Sequence, residues 1–129
     1  MRNWTLDRLM EEDVLEFLRS AIKTIWSLEL LLLMRRTRER AWTRDELERE
    51  LRGSAKLVAE TLTALEQTGL LRDGGPTYQY SPASAELERL VDGLATAYAN
   101  SPLQVIKAIL EAPSDKLRDF ANAFRLKRD

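Results

Sequence analysis

The stretch Trp42–Ser54 constrains this chain most, because it fixes both ends of one helix and the start of the next. Thr43 and Glu46 stand at capping-box spacing, where each side chain covers a free backbone N–H at a helix start. Leu47 and Leu51 form a single buried stripe. Gly53 stands where a glycine is expected just past a helix C-terminus. Ser54 at once offers the N-cap of a second helix, which the pattern carries to about Thr68, with Leu57, Val58, Leu62 and Leu65 inward and Gly69 as terminator. Amphipathic helices joined this tightly must cover each other's apolar stripes.

The grammar then changes. Leu70-Leu71-Arg72 and Tyr78-Gln79-Tyr80 are short β-compatible runs around Asp73-Gly74-Gly75-Pro76, whose Gly and Asp residues suit a hairpin turn. This is the one β signal that the sequence gives clearly. Upstream, Leu6, Leu9, Met10, Val14, Phe17 and Leu18 recur at helical spacing and predict a helix over Leu6–Leu18, with Thr5 as N-cap. Ile22–Trp26 either continues a helix or runs extended into Ser27. Ser27 reads as the N-cap of Leu28–Arg38, a helix apolar on nearly every side and so central to the core. Downstream, Leu87, Leu90, Val91, Leu94 and Tyr98 mark a helix over Glu86–Tyr98. Ser101 and Pro102 open a short helix bearing Leu103, Ile106, Ile109 and Leu110. After Ala112-Pro113-Ser114, residues Leu117, Phe120, Ala121 and Phe124 mark a last helix over Asp115–Lys127.

Composition narrows the chemistry. The chain has 129 residues, 44% hydrophobic and 32% charged, which suits one globular domain and excludes a disordered tail. It has no Cys and no His, which removes disulfides, thiol nucleophiles, Cys/His zinc sites and the Ser-His-Asp triad. Glu46, Glu48 and Glu50 alternate with Arg44, Arg49 and Arg52 as a solvated helix face does. Glu11, Glu12, Asp13 and Glu16 cluster in sequence but do not converge as a hard-cation site requires. No glycine loop has phosphate-binding spacing. No enzymatic activity, cofactor or metal is therefore expected. The acidic start (Asp7, Glu11, Glu12, Asp13) is unlike a signal peptide, and the apolar run Leu30–Met34 is far below the ~20 residues that span a bilayer. The expectation is a soluble cytoplasmic protein that does not enter membranes.

Trp42-Thr43, Glu46-Leu47, Leu51, Ser54, Val58, Leu62, Leu65-Glu66 and Gly69-Leu70-Leu71 together resemble the core of bacterial winged helix-turn-helix regulators of the MarR-like and PadR-like kind. The resemblance covers about a third of the chain. It implies a mainly α fold with a small β-hairpin wing. The flanking helices lie outside the resemblance; read with the periodicity, 1–129 is expected to be a single domain, with a winged-helix core at 20–81, an N-terminal helix at 1–19 and C-terminal helices at 82–129 as the dimerisation region. The resemblance also implies a transcriptional regulator that binds duplex DNA through the second helix of the motif and acts as a homodimer.

Within that frame, Ser54, Lys56 and Thr63 face outward on the DNA-reading helix, together with Ala55, Ala59, Glu60 and Gln67. Relatives often carry Arg where this chain has Glu60, whose carboxylate repels phosphate. Net charge is −1, so attraction to DNA must be local. Arg35, Arg36, Arg38, Arg40 and Arg44 against Glu39 supply a local excess of four positive charges. The expected contacts are Arg36, Arg38, Arg40, Thr43 and Arg44 at the corner before the capped helix, with Arg72 on the wing; the alternative for the corner is that arginines at a helix C-terminus only complement its dipole and solubilise the surface, and Arg72 either meets phosphate or pairs with Asp73. Leu87, Leu90, Val91, Leu94 and Tyr98 have the spacing of an inter-helix seam and are expected to build the dimer. The alternative is that this stripe packs back on Leu6–Leu18 within one chain. A competing function keeps the fold without DNA: a winged-helix module that binds a protein partner.

Overall fold

The computed structural model describes residues 10–111, which form six helices and three short strands. Helix α1 spans Glu12–Ala21 and buries Val14, Leu15, Phe17 and Leu18. It begins and ends later than the expected Leu6–Leu18. Its first turn holds Glu12 and Asp13, whose carboxylates suit the helix N-terminus. Thr5, Leu6 and Leu9 lie outside the described residues, as does the expected helix over Asp115–Lys127.

Helix α2 spans Ile25–Arg36. Its cap is Thr24, not Ser27: Thr24 Oγ1 accepts from Ser27 N at 3.0 Å. Starting earlier draws Ser27 into the buried first turn and settles Ile22–Trp26, with Ile22 extended and Trp26 helical. The burial of Leu28 and Leu30–Met34 follows from the nearly all-apolar sequence. The helix stops at Arg36, and Thr37 Oγ1 donates to the Leu33 carbonyl at 2.7 Å. Trp42 Nε1 then donates to that same Thr37 oxygen at 3.0 Å, which ties the following segment to the end of α2.

That segment is a strand the sequence did not announce. Strand β1, Trp42–Thr43, pairs antiparallel with β3 (Thr77–Tyr80), which pairs in turn with β2 (Leu71–Asp73). The sheet order is β1-β3-β2. Two residues cannot display an alternation, so β1 is fixed only by pairing Trp42 with Tyr78 and Thr43 with Thr77.

Helix α3, Arg44–Leu51, carries the complete capping box: Glu46 N donates to Thr43 Oγ1 at 3.2 Å, and Thr43 N donates to Glu46 Oε1 at 2.8 Å. Its C-terminal turn departs from expectation. The left-handed residue is Arg52, with φ 57°, not Gly53. Gly53 answers a different need, because a Cβ there would lie 2.9 Å from the Trp26 ring. Ser54 Oγ accepts from Leu57 N at 3.1 Å and opens α4, Ala55–Gln67. Val58, Thr61, Leu62 and Leu65 of α4 are buried, while Leu57 is only half-buried.

Ser84 caps α5, Ala85–Asn100, through Leu87 N at 3.1 Å, and α6 follows at Pro102–Glu111. Helix α5 lies against α1 and α6, with Gly93 close to Val14. The stripe expected to meet a second copy therefore turns inward. Val91 and Leu94 are fully buried, and Leu87, Leu90 and Tyr98 are partly buried against the same core. Polar ties reinforce this placement. Tyr98 Oη donates to Glu29 at 2.6 Å, Arg35 Nε donates to Asp92 at 2.9 Å, and Arg89 bonds Glu11, Asp13 and Glu86. One core runs through all six helices and the sheet and includes Leu30, Leu33, Leu47, Val58, Leu62 and Leu65; Leu51 is packed against it but only partly covered. Among the described residues no helix is long and apolar enough to cross a membrane.

Candidate nucleic-acid interface

The tight α3–α4 connection leaves one face of α4 in solvent. Ser54, Ala55, Lys56, Glu60, Thr63, Ala64 and Gln67 are exposed along it. Three of its polar groups have local partners. Ser54 Oγ serves the cap. Thr63 Oγ1 donates to the Ala59 carbonyl at 3.0 Å. Lys56 Nζ lies 3.9 Å from Glu60, one helical turn on. Such an exposed pair contributes little to stability, but it sets a carboxylate beside the face's single lysine. Ala59, Glu60, Thr63, Ala64 and Gln67 line a shallow depression of about 330 Å³ on this helix.

The arginine corner divides into occupied and unoccupied cations. Arg35 is held by Asp92. Arg40 lies 3.5 Å over the Trp42 ring and donates to Glu46 Oε2 at 3.0 Å. The Thr43 N–H, followed by Arg40, holds the Glu46 carboxyl below its ordinary range. Thr43 is likewise engaged: its hydroxyl caps α3 and is half-buried, so its role is structural. Arg38 sits 5.5 Å from the Tyr80 ring centroid and has no carboxylate partner among the described residues. Arg36 and Arg44 are exposed and form no ion pair among the described residues. With Arg35 and Arg40 neutralised, the local excess falls from four positive charges to two: Arg36, Arg38 and Arg44 against Glu39.

On the sheet, Arg72 does not pair with Asp73. Asp73 Oδ1 accepts from Gly75 N at 2.9 Å and closes the hairpin turn. Arg72 Nη2 donates instead to Gln79 Oε1 at 3.0 Å. Gln79 stands directly opposite Arg72 in the hairpin register, a placement that the Asp-Gly-Gly turn makes available from the sequence. The Tyr80 hydroxyl is buried without a hydrogen-bond partner, and burial, with Asp92 nearby, pushes its pKa up to about 12. No group of three or more Asp, Glu, His or Cys side chains that could hold a metal occurs among the described residues.

No family model, curated protein or solved structure matches this chain.

Proposed function

We propose that this chain is a winged-helix DNA-binding transcriptional regulator that acts as a homodimer. One arrangement supports the reading. A capped helix, a left-handed turn and a second capped helix with a solvent-facing side are followed by a hairpin, and β1 joins that hairpin to the start of the first helix. In such a motif the second helix enters the major groove and the flanking cations meet phosphates. Arg36, Arg38, Arg44 and Arg72, none paired with a carboxylate among the described residues, would carry the phosphate contacts. Lys56 and Thr63 would carry the base-facing ones. Titration of a labelled genomic-fragment pool at about 50 mM and about 200 mM salt tests this, because phosphate contacts weaken steeply with salt. Absence of affinity at the lower salt would remove the reading.

The dimer needs a different surface from the α5 stripe. Leu103 and Leu110 on α6 are 78% and 70% exposed, and they anchor the two-fold contact. Sedimentation at micromolar concentration should give a dimer mass that Leu103→Asp and Leu110→Asp together abolish, while a monomer mass for the unmodified chain would end the claim.

One observation favours a second reading. The exposed face of α4 pairs its lysine with Glu60 and carries a shallow depression lined largely by small side chains. A protein-binding winged helix would use that face, and it would retain a partner under salt that strips DNA.

A further inference from the structure

The cation on the hairpin is held by a neutral residue, and the way it is held carries information. Arg72 and Gln79 face each other in the β2–β3 register. Arg72 Nη2 donates to Gln79 Oε1 at 3.0 Å, and Gln79 Nε2 donates to the Arg38 carbonyl at 2.9 Å. A guanidinium only donates and a carbonyl only accepts, so the amide can bridge them in one orientation alone. A glutamate at this position would lose the bond to Arg38, having no donor. A lysine or arginine would lose the bond to Arg72, having no acceptor.

The bridge also leaves charge intact. Gln79 carries none, and the adjacent carboxylate of Asp73 is committed to Gly75 N. Side chains of consecutive strand residues point to opposite faces, which keeps Asp73 away from the Arg72 guanidinium. Among the described residues no carboxylate pairs with Arg72, and its bond to Gln79 engages one of its five donors. A long exposed side chain would ordinarily sample many rotamers, and one fixed hydrogen bond narrows that set before any ligand arrives. Through Arg38 the same amide ties the hairpin to the segment that leaves α2, where Arg36 and Arg38 stand.

We propose that Gln79 is a positioning residue. It holds Arg72 for a phosphate contact, in fixed relation to the Arg36–Arg38 corner, without neutralising it. This rests on the DNA-binding reading.

The test is a set of anisotropy titrations of one labelled duplex with the full chain, Arg72→Ala, Gln79→Met, the double variant and Gln79→Glu, each at two salt concentrations. Thermal melts confirm that each variant is folded, and Gln79→Ala replaces Gln79→Met if that variant is not. Arg72→Ala should weaken binding and lower the salt slope by about 1 for each chain seated on the duplex, so by about 2 for a dimer, the signature of one lost phosphate contact per chain. Gln79→Met should weaken binding severalfold with the slope kept, and should have no further effect once Arg72 is Ala. Gln79→Glu should match Arg72→Ala in both affinity and slope, because it neutralises the guanidinium. If Gln79→Met costs as much in the Arg72→Ala background as alone, Gln79 acts independently and the proposal is overturned. An Arg72→Ala variant that binds like the full chain overturns it as well. No affinity of the full chain at low salt defeats the DNA reading itself, a result distinct from either.

Discussion

Gly93 offers a sharp check on whether α5 packs within its own chain. It lies in the interior of that helix, where Ala in place of Gly ordinarily stabilises by about 1 kcal/mol. Here an added Cβ would sit 2.9 Å from Val14 Cγ2, with Val14 Cγ1 and Cβ at 3.7 and 3.9 Å. Val14 is 3% exposed and β-branched, so its side chain has no long flexible end to swing aside. Overpacking of this kind costs about 1–3 kcal/mol, which cancels or outweighs the gain in helix propensity. Gly93→Ala should therefore destabilise by about 0–2 kcal/mol. Val14→Ala alone should cost about 2 kcal/mol from two buried methyl groups and the space they leave. The double variant should be more stable than the sum predicts by about 1–2 kcal/mol, since the new methyl enters the space that valine vacates. Urea denaturation at one fixed protein concentration measures all four corners, with equal m-values as the control for two-state behaviour. A Gly93→Ala variant stabilised by the full helix-propensity gain, or a cycle with no coupling, would show that α5 does not lie on α1 at this point. The stripe of Leu87, Leu90, Val91, Leu94 and Tyr98 would then be free for a partner.

Leu62→Ala, at a side chain with no exposed area, should cost about 2–5 kcal/mol by urea denaturation; a loss below 1 kcal/mol would deny it a central place. Glu46 has its pKa depressed by Thr43 and Arg40, and Arg89 depresses those of Asp13 and Glu86. The stability these carboxylates add is fully present above their unfolded values near ~4. It is lost as pH falls through the lower folded values, so Glu46→Gln should make the acid limb of a pH–stability curve shallower. Arg36→Glu should weaken DNA binding more than Arg40→Glu in the same anisotropy assay, because Arg40 already has Glu46 as partner; equal effects would contradict the division of the corner described above.

The parts of the fold that short-range chemistry decides were legible. The Thr43–Glu46 box and the Ser54 cap need only a few consecutive residues, and both helices begin where those residues say. The hairpin follows from its Asp-Gly-Gly turn. The remaining features depend on groups far apart in sequence. Trp and Thr both favour strands, but two residues show no alternation, and strand β1 is defined only by its pairing with β3. Arg52, not Gly53, takes the left-handed position, and Gly53 instead meets the Trp26 ring, which would lie 2.9 Å from an added Cβ, a contact that helix-ending rules do not contain. Thr24 and Ser27 are both competent caps, and the structure uses Thr24, which leaves Ser27 buried in the first turn. The α5 stripe has the same spacing whether it meets α1 or a second copy, so periodicity alone could not assign it.

The site shows the same division, and it sets the salt dependence. Counting residues gave four excess positive charges at the corner. Asp92 and Glu46 remove two of them across 57 and 6 positions of sequence respectively. Arg36, Arg38 and Arg44, with Arg72 on the hairpin, remain as the proposed phosphate contacts. With about four contacts per chain, log affinity should fall with log salt at a slope near −3.6, or roughly 150-fold for a fourfold rise in salt. Two chains on one duplex double the contacts, so the slope should be near −7 and the loss on the order of 10⁴-fold. The slope thus counts the chains bound as well as the cations used. A value near −7 would support a dimer seating both copies, and one near −3.6 a single engaged chain. A slope near zero with measurable binding would mean that these four arginines face no phosphate. The contact would then lie on the small-residue face of α4, where Lys56 is held beside Glu60 and a protein is the better-matched partner.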